Sequence, residues 1–308
     1  MFRPGWTPEI ERVGLATSGR SLPRFRAAAD GPPPPAYSLA QYVRYLWDQL
    51  PVGSCFANAA PQALMVLTAA DNAAGASWDE PELSRAWIWY HGRRYDGLLG
   101  SAGDGGSVTS AFKALQDGCA TEEDWPYLTP ELRARRNDRS FQARAHAMLE
   151  RTPPDAIAGN ARRNRVVGVV EVSDDDEARR LIASGHPIND GTWWPFGWDS
   201  AVDGTGRATG IGDGQFGHSY LRIGYLRDWD GYDWWQFLNS HGPIYSPLPD
   251  SIAAAVPGYT RLAGANGKVY DFWARADWHT KVRRYGQYEG IAPVGLSGVR
   301  RGSWGTAR

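Results

Sequence analysis

The predicted secondary structure changes near residue 165, and this change limits the folds open to the chain. Three stretches before it carry apolar residues at helical spacing: "CFANAAPQALMVLTAADNAAG", "EPELSRAWIWYHGRRY" and "VTSAFKALQDG". Four stretches after it are β-rich and bounded by Gly or Asp turns: "RNRVVGVVEVS", "HPINDGTWW", "HSYLRIGYL" and "DWWQFLNS". Helices followed by strands predict an α+β protein with two unlike lobes.

The ends of the chain differ from this patterned middle. Residues 1–37 end in "DGPPPPAYS", whose proline run favours an extended conformation, so we predict an N-terminal extended arm. Residues 285–308 combine Gly, Ser and Arg without periodicity and are predicted to form a tail. The domain is therefore expected at 38–284, mainly helical over 38–165 and mainly β over 166–284.

Composition excludes several classes of partner. The formal net charge of the 308 residues is -1, so no global field attracts nucleic acid or anionic membranes. The first residues lack the apolar core of a signal peptide, and no stretch of 18 apolar residues occurs, so a cytoplasmic location is the default expectation. Only Cys55 and Cys119 are available, without a zinc-ligand pattern, so we expect no disulfide, metal or cofactor. A polypeptide substrate or a small-molecule partner, rather than nucleic acid or a membrane, is the better default.

Cys55 is a candidate nucleophile because it follows Gly-Ser at the predicted start of an Ala-rich helix, where the helix dipole stabilises a thiolate. Among six histidines, His218 differs in standing directly after glycine at the entry of an apolar strand. Four of the others have structural interpretations, as a cap, a solvated helical face, a turn and a position near the tail: His91, His146, His186 and His279. Cys119 is predicted to be an ordinary loop or core cysteine.

Four stretches of the sequence resemble motifs of papain-like cysteine peptidases and occur in the same chain order. The resemblance is greatest to the bacterial branch of that family. "QLPVGSCFA" has a glutamine six residues before Cys55, as in the active-site stretch of that family. "GDGGSVTSAFKALQDGCATEEDWPY" is similar to its Gly-Gly strip and the segment that follows, "GHS" resembles its histidine strand, and "FLNSHG" resembles its Asn-Ser-Trp-Gly element. The resemblance covers roughly residues 38 to 280. It implies a two-lobe fold, with a helical left lobe and a β-barrel-like right lobe around an active-site cleft.

The resemblance also implies a role for each matching residue in hydrolysing peptide bonds. Cys55 would be the nucleophile, His218 its acid-base partner and Asn239 the residue that orients the imidazole. Gln49 would donate a hydrogen bond to the oxyanion of the tetrahedral intermediate. Residues Gly105 and Gly106 would form the strip that pairs with the substrate backbone, because glycine has no side chain to block that approach.

The sequence departs from the family pattern at two informative positions. Val52 stands where the family has a disulfide-bonded cysteine, which fits a non-secreted member and leaves the catalytic residues untouched. His241 stands where the family has a tryptophan that shields the His–Asn hydrogen bond. An imidazole there is expected to weaken the orientation of His218 or compete for Asn239.

Two alternatives to a peptidase stay open. A papain-like fold can serve as a structural or assembly component of a larger particle, such as a phage virion, with weak or lost activity and with contacts through its termini. A Cys/His acyltransferase of the transglutaminase type would require an aspartate as its third residue, and Asn239 argues mildly against it.

Overall fold

The computed structural model describes most of the chain. The described residues are 32–101, 103–172, 174–193, 196–197, 201–202, 204–211, 217–284 and 288–297. Most of the predicted arm, residues 1–31, and the last residues, 298–308, lie outside this set. Within the set, no helix combines the length and the apolar character needed to span a membrane.

Helices dominate up to residue 161. A short strand, β1 (Ala36–Ser38), precedes them. The helices are α1 (Cys55–Ala73), α2 (Arg85–Asp96), α3 (Val108–Asp117), α4 (Pro130–Ala134), α5 (Phe141–Leu149) and α6 (Asp155–Ala161). The three helices predicted from apolar spacing correspond to α1, α2 and α3, and α1 continues through Pro61.

Strands dominate from residue 165 onward. The strands are β2 (Arg165–Glu171), β3 (Ile188–Trp193), β4 (Phe196–Gly197), β5 (Gly210–Ile211), β6 (Gly217–Trp229), β7 (Tyr232–Leu238), β8 (Asp271–Arg275) and β9 (Tyr288–Ser297). Helices α7 (Asp175–Ala183), α8 (Asp250–Ala253) and α9 (Ala276–Arg284) lie between them. The main sheet is antiparallel in the order β2-β9-β3-β6-β7-β8, with β1 added beside β6, while β4 and β5 form a separate pair.

Helix α1 is the central element of the core. It contacts α2 and α3 of the helical lobe and also β3, β6 and β9 of the sheet. Every residue from Cys55 through Leu67 is buried, which explains why the helix is rich in alanine on all its faces. This packing against β6 joins the helix that begins with Cys55 to the strand that carries His218.

The structure corrects both predicted boundaries of the domain. The predicted tail is wrong for residues 288–297, because β9 lies inside the sheet between β2 and β3. Glycines and Pro293 interrupt the alternation of apolar and polar residues in β9, so the sequence pattern does not predict the strand. The register between β2 and β9 is irregular around Gly168, and this irregularity accommodates a proline in an inner strand. At the other end, the predicted boundary at residue 37 falls within β1, which pairs with β6.

Candidate active site

Cys55 is the first residue of α1 and is fully buried. The turn before it is held by side chains rather than by an ordinary cap. The Ser54 carbonyl accepts hydrogen bonds from the backbone N–H of Asn58 at 3.0 Å and from its Nδ2 at 2.8 Å. The Ser54 hydroxyl lies 2.5 Å from the hydroxyl of Tyr127. The thiol is thus placed at a fixed helix N-terminus, whose dipole favours a negative charge.

His218 and Asn239 form a direct pair on neighbouring strands. His218 is the second residue of β6, and Asn239 follows the end of β7. His218 Nε2 lies 2.8 Å from Asn239 Oδ1, and both side chains are buried. Strands β6 and β7 pair with Leu221 opposite Leu238, and this register brings His218 and Asn239 close together. The predicted histidine and asparagine therefore meet as the resemblance implied, on a strand packed against α1.

The orientation of the Asn239 amide is fixed by its neighbours. Its Nδ2 donates to the hydroxyl of Tyr245 at 2.5 Å and lies 3.3 Å from His241 Nδ1. Its Oδ1 also accepts a hydrogen bond from the backbone N–H of Ser240 at 2.8 Å. Because the backbone N–H of Ser240 can only donate, it fixes the amide oxygen on its own side, and the same oxygen faces His218.

His241 covers His218 at the position where the resemblance led us to expect a tryptophan. The two rings are stacked with centroids 4.4 Å apart and an interplanar angle of 25°. His241 contacts the nitrogen of the Asn239 amide, so it does not compete with His218 for the oxygen. Burial, and next the neighbouring His218, hold the pKa of His241 well below its usual value, so its ring is neutral near pH 7. A neutral ring can both stack on His218 and accept from Asn239.

Burial also governs the protonation of His218. Desolvation lowers its pKa to about 4, and the hydrogen bond to Asn239 opposes this shift. A lone imidazolium is therefore unfavourable at this position near pH 7. A positive charge on His218 needs a compensating negative charge beside it, and a thiolate at the start of α1 has the right sign.

Gln49 links the two predicted halves of the site. Its Oε1 accepts a hydrogen bond from the Ser240 hydroxyl at 2.6 Å, and its backbone N–H donates to the Ser240 carbonyl at 2.7 Å. Its Nε2 donates to the carbonyl of Val52 at 2.9 Å, and its own carbonyl accepts from the Tyr127 hydroxyl at 3.0 Å. The side chain is buried. With Oε1 anchored, the amide nitrogen points to the turn that leads to Cys55.

Gly106 lies against Phe56, the residue that follows Cys55, and Gly105 is held by a buried arginine. A Cβ built on Gly106 would stand 2.7 Å from the ring of Phe56, so the close approach requires glycine. Gly105 has φ of 101°, a left-handed conformation that also favours glycine. Its carbonyl accepts a 2.7 Å hydrogen bond from Nη1 of the buried Arg93.

The remaining histidines and Cys119 also occupy defined positions. The prediction of a merely solvated His146 is wrong, because its Nε2 hydrogen-bonds Asp104. His279, noted in the sequence only for its position near the predicted tail, is fully buried, with Nε2 3.5 Å from Oδ2 of Asp190. Cys119 is a core cysteine as predicted, and burial raises its pKa well above the usual thiol value.

Sequence reasoning missed the residues that support the site. These are Arg93, Tyr127, Ser240 and Tyr245. Ser240 lies inside the "FLNSHG" motif and could have been found there. Tyr127 ends the quoted stretch "CATEEDWPY" and could likewise have been found there, whereas no local pattern marks Arg93 or Tyr245.

The described fold is the papain-like fold of C1 cysteine proteases, with its helical and β lobes. Xylellain, a cysteine protease from Xylella fastidiosa, superposes with a TM-score of 0.59 at 20% sequence identity, over 92% of this chain and 97% of its own. ProCathepsin B S9 from Trypanosoma congolense gives a TM-score of 0.59 at 12% identity, over 97% and 87%. Recombinant stem bromelain precursor gives 0.60 at 14% identity, over 96% and 78%. No family model and no curated protein matches the sequence.

Proposed function

We propose that the chain is a cysteine-type peptidase that hydrolyses peptide bonds through Cys55, His218 and Asn239. The observation that carries the proposal is the bond between His218 Nε2 and Asn239 Oδ1, on a strand packed against the helix that begins with Cys55. With Nε2 bonded to the asparagine, Nδ1 is the ring nitrogen that exchanges a proton with the thiol. The papain-like fold supports the same assignment.

The reaction would proceed through a thioester. The Cys55 thiolate attacks the carbonyl carbon of the scissile peptide, and the tetrahedral intermediate collapses as His218 gives its proton to the leaving amine. Water, deprotonated by the now neutral His218, then attacks the thioester and releases the carboxylic acid and the thiol. Asn239 keeps the ring in place through both steps.

Gln49 and the glycine strip would act on the substrate itself. One N–H of the Gln49 amide is bonded to Val52, and the second would donate to the oxyanion, beside the Cys55 backbone N–H. Gly105 and Gly106 would pair with the substrate backbone. The substrate is accordingly a polypeptide bound in an extended conformation.

Covalent labelling tests the proposal, because the two cysteines are both fully buried and differ only in their surroundings. The wild-type chain, Cys55→Ala and Cys119→Ala are treated with a peptidyl epoxide, and the modified residue is located by mass spectrometry. We expect Cys55 to react and Cys119 to stay unmodified. Cys119→Ala should label like the wild type and cleave a peptide library, while Cys55→Ala should do neither. If Cys55 reacts no faster than Cys119, the peptidase proposal fails and a structural role gains support.

A further inference from the structure

Asp104, the residue before the glycine strip, is held at both carboxylate oxygens by helix α5. Its Oδ2 accepts a hydrogen bond from Gln142 Nε2 at 2.7 Å, and its Oδ1 accepts one from His146 Nε2. Gln142 and His146 are four residues apart, so both project from one face of the helix. The Asp104 side chain is 7% exposed. The carboxylate therefore cannot rotate without breaking one of the two bonds.

The same helix reaches the strip by a second route through Arg93. The Arg93 side chain donates to the Gly105 carbonyl and forms an ion pair with Glu150, directly after α5, at 3.3 Å. The ring of Trp89 lies between the two routes, with the Arg93 guanidinium 4.9 Å from its centroid and the His146 ring edge-on at 5.4 Å. The strip is thus held from α5 and α2, with the Phe56 ring against Gly106.

We infer that Asp104, clamped by His146 and Gln142, is a positioning residue that fixes the Gly105–Gly106 backbone for an extended peptide substrate. This inference rests on the peptidase function proposed above. Two consecutive glycines have more conformational freedom than any other pair of residues, so their N–H and C=O directions need an external restraint. A strip held in its binding conformation before the substrate arrives avoids the ordering cost on binding.

The expected kinetic signature is a change in binding rather than in chemistry. His146→Ala should raise KM for a peptide substrate about tenfold and leave kcat within about twofold, because an ordered strip stabilises bound substrate and transition state alike. The rate of inactivation by a peptidyl epoxide at low concentration should fall by about the same factor. Alkylation of Cys55 by iodoacetamide, which does not bind the strip, should keep its wild-type rate.

Matched variants distinguish the loss of the clamp, which is Asp104 with His146 and Gln142, from a general loss of structure. His146→Gln keeps an N–H donor for Asp104 and should restore most of the wild-type KM. Arg144→Ala alters the same helix at an exposed ion pair with Asp138 and should leave KM unchanged. Backbone hydrogen exchange over residues 103–107, followed by mass spectrometry, should rise in His146→Ala and stay at the wild-type level in Arg144→Ala.

The results divide cleanly between the clamp and the peptidase proposal. If the wild type cleaves peptides and His146→Ala leaves both KM and the exchange of 103–107 unchanged, the clamp is wrong and the peptidase proposal stands. A fall in kcat at constant KM in His146→Ala would also overturn the clamp, because Asp104 and His146 would then affect the chemical step rather than substrate binding. If Cys55 of the wild type does not react, both fail, and faster exchange in His146→Ala would show a structural contact only.

Discussion

The two halves of the proposed site are held in place by different interactions. The cysteine half consists of Gln49, Cys55 and the Gly105–Gly106 strip, and buried arginines support it. Arg85 lies 3.2 Å from Glu122 and within 3.5 Å of the Asp48 carbonyl, beside Gln49, while Arg93 donates to the Gly105 carbonyl. The histidine half consists of His218, Asn239, His241 and Tyr245, and neutral side chains support it.

The difference follows from the elements that carry each half. Gln49 and the strip lie outside the named helices and strands, and the carbonyls of Gln49 and Gly105 are satisfied by side-chain donors, Tyr127 and Arg93. Arginine offers five N–H donors on one rigid group, so a single buried side chain can hold several loop carbonyls. His218 and Asn239 lie on or beside strands whose backbone is already paired, so only their side chains need alignment. The bond from Ser240 to Gln49 joins the two systems.

The largest effect is expected from removing the charge that supports the cysteine half. Arg85→Met removes the buried partner of the mostly buried Glu122 and leaves only the exposed Arg133 beside it, so it should lower the free energy of unfolding by about 3–5 kcal/mol, measured by urea denaturation. Arg133→Met is the matched control, because Arg133 pairs with the same carboxylate from a 46% exposed position. It should change stability by at most about 0.5 kcal/mol. Equal losses in the two variants would contradict the role given to Arg85.

A second prediction concerns the residue that joins the halves. Gln49→Ala should lower kcat by about 10²–10³, the usual cost of losing an oxyanion donor. Ser240→Ala, which removes only the anchor of the Gln49 amide, should cost about tenfold, in line with one hydrogen bond. Gln62→Ala also removes a hydrogen bond of a buried side-chain amide, two turns along α1 from Cys55, and should leave kcat unchanged. A Gln49→Ala enzyme with wild-type kcat would rule out the oxyanion assignment.

The smallest effect is expected from His241, in the neutral half. His241→Phe keeps a ring over His218 but loses the acceptor for Asn239, so kcat/KM should fall about three- to tenfold. The variant also removes a group whose pKa is lowered by burial. Below pH 6.5 the unfolded chain binds a proton at such a histidine that the folded chain excludes, so wild-type stability falls as the pH falls. His241→Phe should reduce that slope by up to about 1.4 kcal/mol per pH unit.

His91→Phe provides the control for this measurement. Burial lowers the pKa of His91 to about 4, and its ring packs against Trp87, outside the proposed site. The variant should flatten the acid side of the stability curve, measured by denaturation between pH 4 and 7, without changing kcat/KM. If His91→Phe loses as much activity as His241→Phe, the proposed role of His241 in supporting His218 and Asn239 is wrong.

Local sequence patterns were sufficient for much of the fold. The spacing of apolar residues predicted α1, α2 and α3, and the β-rich runs predicted β2, β3, β6 and β7. The pattern failed at β9, whose glycines and proline hide its alternation and which depends on pairing with β2 and β3 on both sides. It failed also at His146, because the Arg-rich face of α5 gives no sign that Asp104 lies opposite.

The sequence by itself determined that helices precede strands, that an Ala-rich helix begins near Cys55, and that His218, Asn239 and Gln49 are candidate site residues. These features depend on local spacing and residue type, which a single chain records directly. The tertiary structure decided that the Asn239 oxygen faces His218, that His241 supports this pair instead of competing for it, and that Ser240 binds Gln49. Such hydrogen bonds join atoms brought together by strand register and helix packing, and no local pattern encodes their geometry.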